Sequence, residues 1–234
     1  MSLRIACDLD GTVADMDAAL QHHAEVLFGG GLQLRGGGAI LERAMNPEGV
    51  DTGEVVLKRG KGLSVRQMRE LWTYVSRIEN FWQSLNEVEV GSAARFAELA
   101  TKHRWEVLFL TQRPETAGDT AQVQSQRWLQ KHGFDMPSVF VMNGSRGKVA
   151  AALNLHAVLD DRAENCLDVA TESKARSMLV WRSTPDSVPP GTRPLGIEPF
   201  FSFGAALDQL EHITIRATKP PGLLSRAQKA LGIS

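Results

Sequence analysis

At 234 residues, with 43% hydrophobic and 23% charged side chains, the chain has the balance of an ordinary globular protein, able to bury one good core and one small accessory module. Lys plus Arg number 26 against 27 for Asp plus Glu, so a net charge of -1 supplies no whole-molecule field for nucleic acid and leaves room only for a local basic patch. No stretch approaches the roughly 20 apolar residues of a membrane span. The two cysteines, Cys7 and Cys166, make no disulfide framework, and the early apolar run is too short for a signal peptide, so a reducing, cytoplasmic setting is expected.

The first element is the apolar run 3–7 (LRIAC), which stops abruptly at DLDGT. It reads as a buried strand whose carboxyl end presents acids, followed by a turn that glycine permits. Residues 15–85 then carry helical patterns at 17–28 and 64–78 and glycine triplets at 29–31 and 36–38. That segment is expected to be an inserted, mostly helical cap. Its triplets read as flexible surface loop, not a phosphate cradle, because no helix-opening Lys-Ser/Thr follows them.

Beyond it come a helix at 92–103 and a strand at 105–110 (WEVLFL) running into TQRP. Pro114 is placed to open a helix that reaches 131, where His132-Gly133 supplies the stop. Strands follow at 139–142, 157–159 and 177–181, with helices at 146–153, 163–172 and 205–210. The tail holds Pro220-Pro221 and then LLSRAQKALG, a terminal helix that docks or frays.

Strands alternating with helices predict an α/β fold, a three-layer Rossmann-like parallel sheet with the small helical cap inserted after the first strand. The core would span 1–14 and 86–212, the cap 15–85 and the tail 213–234. Ligands of such sheets bind beyond the strand carboxyl ends, and DLDGT, TQR and DDR all fall there.

Asp8 and Asp10, one residue apart on an extended strand end, point their carboxylates to one side. Like charges so close require a cation between them or a proton on one. That suits a pair in which Asp8 attacks phosphorus and Asp10 protonates the leaving group. Asp160 and Asp161 add hard oxygen ligands at another strand end, so Asp8, Asp10, Asp160 and Asp161 are the expected metal set and Mg2+ the expected ion. Thr111 and Gln112, a hydroxyl followed by exposed backbone amides, are expected to bind phosphate together with the point charge of Lys148. Arg113 either reaches a substrate phosphate or caps local structure. Trp72, Tyr74, Phe81 and Trp82 either stack a nucleobase or, as is commoner, form the core of the helical segment.

The order of these groups resembles the haloacid dehalogenase superfamily. Its four motifs match DLDGTV (8–13), the hydrophobic strand ending in Thr111, Lys148, and LDD (159–161). The resemblance implies that Asp8 forms an aspartyl-phosphate and that Asp10 is general acid and then base. It also implies that Thr111 and Lys148 bind phosphate, and that Asp160 or Asp161, with Asp8 and the Asp10 carbonyl, holds magnesium. Asp at position 10 favours phosphate chemistry, since true dehalogenases of the superfamily lack that second acid and the metal. A looser similarity to the deoxyribonucleotidases rests on the helical cap, FWQSL (81–85) and LDDRAENC (159–166). The expected activity is hydrolysis of a small phosphomonoester, with a nucleoside monophosphate among the candidates. A sugar-phosphate mutase or other phosphotransferase, a non-catalytic phosphate-ligand binder and a nucleic-acid end phosphatase are the alternatives.

Overall fold

Six parallel strands form one sheet in a computed structural model of the chain that describes residues 2–30 and 63–218. They are β1 (Arg4–Asp8), β2 (Glu106–Thr111), β3 (Ser138–Val141), β4 (Ala157–Asp160), β5 (Arg176–Val180) and β6 (Ile197–Phe200). Their order is β3-β2-β1-β4-β5-β6. The register sets Cys7 between Phe109 and Leu159, so Asp8, Thr111 and Asp160 finish neighbouring strands at one edge. Central β1 and β4 are buried almost throughout, as parallel strands covered on both faces must be.

The helices are α1 (Met16–Phe28), α2 (Val65–Val75), α3 (Ser92–His103), α4 (Ala121–Lys131), α5 (Arg146–Ala152), α6 (Ala163–Glu172) and α7 (Phe203–Thr218). Alternation along β1 sends Ile5 and Cys7 into a large core with Phe96, Phe109 and Leu207, while Ala6 packs on the other face with Ala150 and Val169. Three layers result: α3, α4 and α7 on one face, α5 and α6 on the other.

Two features differ from the sequence reading and two add to it. The first is β6, which carries Pro199 and sits at the sheet edge, where a missing N–H is tolerated. Second, residues 114–120 are not helical. Gly118 takes φ +94° against Asn80, whose side-chain oxygen accepts from Asp119 N, and the helix starts only after its Thr120 cap. Third, the helix that 205–210 helps to fill, α7, runs on to Thr218 through the β-branched stretch ITIRAT. There Trp105 Nε1 donates to Thr214 Oγ1 at 3.0 Å, and packing overrides propensity.

The fourth concerns the inserted segment. Leu20, Leu71, Phe81 and Trp82 belong to the same hydrophobic cluster as Ile5 and Phe96, so α1, α2 and the short 3-10 turn Phe81–Gln83 share the sheet's core. The triplet 36–38 and the tail motif LLSRAQKALG lie outside the described residues. No helix among those described is long and apolar enough to cross a membrane.

Candidate active site

The chain leaves β1 at Asp8 and folds back at once: Val13 N and Ala14 N both donate to Leu9 O, and Gly11 N donates to Ala14 O at 2.9 Å. Gly11 has φ +88°, and a Cβ there would lie 2.1 Å from Asp161 Oδ2. Only glycine lets the turn adopt this conformation and press its backbone against that carboxylate.

Asp8 is 5% exposed. Its Oδ1 accepts from Arg146 Nη2, and Arg146 Nε stands 2.7 Å from Asp160 Oδ2, so one guanidinium bridges two strand ends. Asp160 is fully buried and further held by Arg162 N at 2.9 Å and by Asn165 Nδ2, 3.0 Å from each oxygen. Burial pushes Asp8 up to about 8. Arg146 opposes that rise, while Asp160 and Asp10 add to it. Asp161 is likewise driven well above the usual carboxylate range, first by burial and then by Asp160 and Asp8, and its Oδ1 is buried without a hydrogen-bond partner.

Asp10 is turned to the opposite side of the site. Arg113 donates from Nε to Oδ2 at 2.8 Å and from Nη2 to Oδ1 at 2.7 Å, a two-point clasp, and Thr111 Oγ1 donates to Oδ2 at 3.0 Å. Thr111 has one hydroxyl hydrogen, and here it goes to Asp10 and not toward an open phosphate position.

Lys148 is exposed, and among the described residues only its backbone N is tied, to the Ser145 cap. Arg146 and Ala150, four apart, share the buried face of α5, and Lys148 lies about 200° round the helix from Arg146 at 3.6 residues per turn. Asp168 locks this rotation by accepting from Ser145 Oγ at 2.9 Å and from Gly147 N at 2.7 Å. The site's cation on this side is therefore Arg146. Gln112, half-buried, makes no side-chain hydrogen bond among the described residues. Sequence reasoning passed over Arg146 and Asn165 and left Arg113 undecided. The available signal for the first was its i, i+4 spacing to an apolar residue just after a serine cap.

Phe81 and Trp82 have no exposed surface, so they form core and cannot stack a base, whereas Tyr74 is 38% exposed. Cys7 is fully buried with its thiol pushed up by burial, then by Asp8 and Asp160; it is a small core residue. An open cleft of about 900 Å³ begins at Asp161 and is walled by Asp15, Asp17, Gln21, Trp181 and Arg182.

Among the described residues no three acidic, histidine or cysteine side chains already converge as an ion cage. The physical reason is that Arg146 lies between Asp8 and Asp160 and that the Asp10 carboxylate is spent on Arg113. The donor set nonetheless fits magnesium. Asp161 offers a buried orphan oxygen, Asp8 is under-neutralised, and hard carboxylate and carbonyl oxygens are what that ion takes. Asp160 is already satisfied by protein donors, and the Asp10 side chain is withdrawn, leaving that residue its main-chain carbonyl.

Solved structures share this architecture. A HAD family hydrolase from Deinococcus radiodurans R1, with bound phosphate and sodium, aligns at a TM-score of 0.54 and 13% identity, over 90% of this chain and 96% of its own. A candidate beta-phosphoglucomutase from Thermotoga maritima aligns at 0.51 and 17% identity, over 90% and 99%. An L-2-haloacid dehalogenase aligns at 0.51 and 13%, over 90% and 100%. At these identities the likeness is one of fold, and the fold is an α/β Rossmann-like fold of the haloacid dehalogenase type. No protein-family model matches the chain, and no curated protein sequence matches it.

Proposed function

We propose that the chain is a phosphomonoester hydrolase with Asp8 as nucleophile and Asp10 as proton donor and acceptor. The observation that carries this reading is the second acid: Asp10 follows Asp8 by two residues and is oriented by Thr111 at the end of the adjacent strand. The fold is shared with a hydrolase that binds phosphate. An Asp8 oxygen would bond to phosphorus as the bond to the leaving oxygen breaks, and that oxygen would take a proton from Asp10. Water would then attack phosphorus and give its proton to Asp10 as the Asp8–phosphorus linkage breaks, releasing phosphate. Arg146 would offset charge on Asp8 and on the transferred group. Asp8, Asp161 and the Asp10 main-chain carbonyl would hold magnesium, which when bound supplies positive charge beside the nucleophile and the phosphate oxygens.

The substrate class is a small phosphomonoester. A nucleoside monophosphate stays within that class, but buried Phe81 and Trp82 lend it no support. A phosphotransferase reading draws on the fold shared with the candidate beta-phosphoglucomutase. Incubation with a phosphomonoester panel and Mg2+, followed by phosphorus NMR, tests both: free phosphate supports hydrolysis, and a rearranged phosphoester supports transfer. Asp8→Asn keeps the shape and removes the nucleophile, so turnover should fall by several orders of magnitude. Substantial residual turnover in that variant rejects the mechanism.

A further inference from the structure

Arg113 is the most completely enclosed cation among the described ion pairs, with a side chain 0% exposed. Three of its five N–H groups donate to side chains among the described residues, one from each nitrogen. Nε and Nη2 clasp Asp10, Nη1 donates to Ser125 Oγ at 2.8 Å, and the plane lies 4.8 Å from the centre of the Trp82 ring. Those partners are themselves fixed. Ser125 Oγ donates to Ala121 O at 2.6 Å, Trp82 Nε1 donates to Pro114 O at 3.0 Å, and Trp82 N donates to Gln124 Oε1 at 2.9 Å. A salt bridge kept only for stability has no need of so many restraints, because a buried ion pair is a poor source of net stability.

The geometry at Asp10 gives the restraint a use. A carboxylate oxygen has two lone pairs. Oδ2 spends both, one on Arg113 Nε and one on Thr111 Oγ1, whereas Oδ1 spends one, on Arg113 Nη2. Among the described residues the single remaining position is therefore on Oδ1. We infer that Arg113 is a positioning residue which, together with Thr111, selects Oδ1 of Asp10 as the oxygen that gives and takes the proton. This inference rests on the phosphohydrolase reading above. In the first half-reaction the proton leaves Oδ1 for the leaving oxygen as the phosphorus–oxygen bond breaks; in the second, Oδ1 receives the proton of the attacking water. A lysine could supply the charge but not the two-point clasp that leaves one lone pair open.

The test compares 4-nitrophenyl phosphate, whose leaving group departs without a proton, with glycerol phosphate, whose alkoxide needs one. Both are assayed with Mg2+ on the full chain and on Arg113→Lys, Asp10→Asn and the double variant. Well-placed proton transfer is worth roughly 10²–10⁴-fold. Arg113→Lys is therefore expected to lose about tenfold or more in kcat on glycerol phosphate beyond its loss on the aryl ester, with KM nearly unchanged. The double variant should be no slower than Asp10→Asn alone, because the two residues act as one unit. Equal losses on both substrates, or losses that multiply in the double variant, overturn the positioning role while leaving the hydrolase reading intact. A wild type that turns over neither ester overturns that reading and this inference with it. Should Arg113→Lys not fold, Ser125→Ala loosens the same guanidinium without removing it, and the same substrate-selective loss, smaller in size, is expected; its absence counts against the inference.

Discussion

Arg146 and Lys148 separate what the sequence motif implies from what the helix geometry imposes, so the pair of variants Arg146→Gln and Lys148→Ala makes a direct trial. Arg146 is 5% exposed and serves both Asp8 and Asp160. Removing it leaves buried carboxylates without their counter-charge, a change that typically costs about 3–5 kcal/mol. Lys148 is exposed, and surface substitutions of that kind stay within about 0.5 kcal/mol. Urea unfolding at pH 8 in a chelator should show this contrast. Added Mg2+ should narrow the deficit of Arg146→Gln, since a divalent cation compensates the same carboxylates. In turnover, loss of a pre-placed cationic donor costs on the order of 10²–10³-fold in kcat, against a several-fold change at most for Lys148→Ala. If Lys148→Ala is the more damaging variant in either assay, the orientation assigned to α5 and the role given to Arg146 are wrong.

Gly147→Ala should destabilise the protein by about 1–3 kcal/mol, because the new Cβ would meet Asp168 O at 2.2 Å and a backbone atom cannot rotate away; a thermal melt that superposes on wild type refutes the close helix crossing. Asp161→Asn should abolish the rise in Tm produced by Mg2+, whereas Asp160→Asn should lower Tm yet keep a metal-dependent rise. The reverse pattern reassigns the direct ligand. Glu211 is held down to about 2 by hydrogen bonds from Lys102 and His103. Its folded pKa is depressed, so its contribution is present above the unfolded carboxylate range and is lost as pH falls from about 4.5 toward 2. The stability gap between wild type and Glu211→Gln should be on the order of 0.5–1 kcal/mol near neutral pH and should close across that window in pH-dependent unfolding.

Among the described residues, five of the six strands and all or part of each α-helix were visible as patterns because their signal is local: apolar runs ended by polar clusters, or apolar residues at helical spacing. β6 was invisible because Pro199 argues against a strand unless the strand lies at an edge, and edge position belongs to the whole sheet. Residues 114–120 misled because Pro114 is a legitimate helix opener, while what keeps the segment extended is its docking on Asn80 and Trp82, over thirty residues earlier. Asp8, Asp10, Thr111, Asp160 and Asp161 could be nominated in advance since each ends a strand or follows its end by one or two residues, and the parallel register puts those ends together. The cations could not be sorted that way. Which of Arg146 and Lys148 faces inward depends on a helix rotation fixed by Asp168, and Arg113 finds its partner only after β2 is laid beside β1.

The charges of the site divide unequally, and the inequality explains why Asp8 and Asp10, only two residues apart, have different environments. Arg113 and Asp10 match one to one through two parallel hydrogen bonds, so the charges on that side balance. On the other side Arg146 faces Asp8, Asp160 and Asp161, and Arg182, the second cation acting on Asp161, is shared with Asp15 and Asp17, leaving a surplus of negative charge in a region largely removed from water. Burial of that surplus is too costly to persist, and without a cation the protein answers by raising Asp8 and Asp161 toward their neutral forms. Asn165 and Arg162 N meet the Asp160 oxygens from within its own loop and helix. Asp161 has no such donors, and its side chain rests against Gly11, one residue past Asp10. A doubly charged ion with a preference for hard oxygen matches both the sign of the surplus and the place where it is left open.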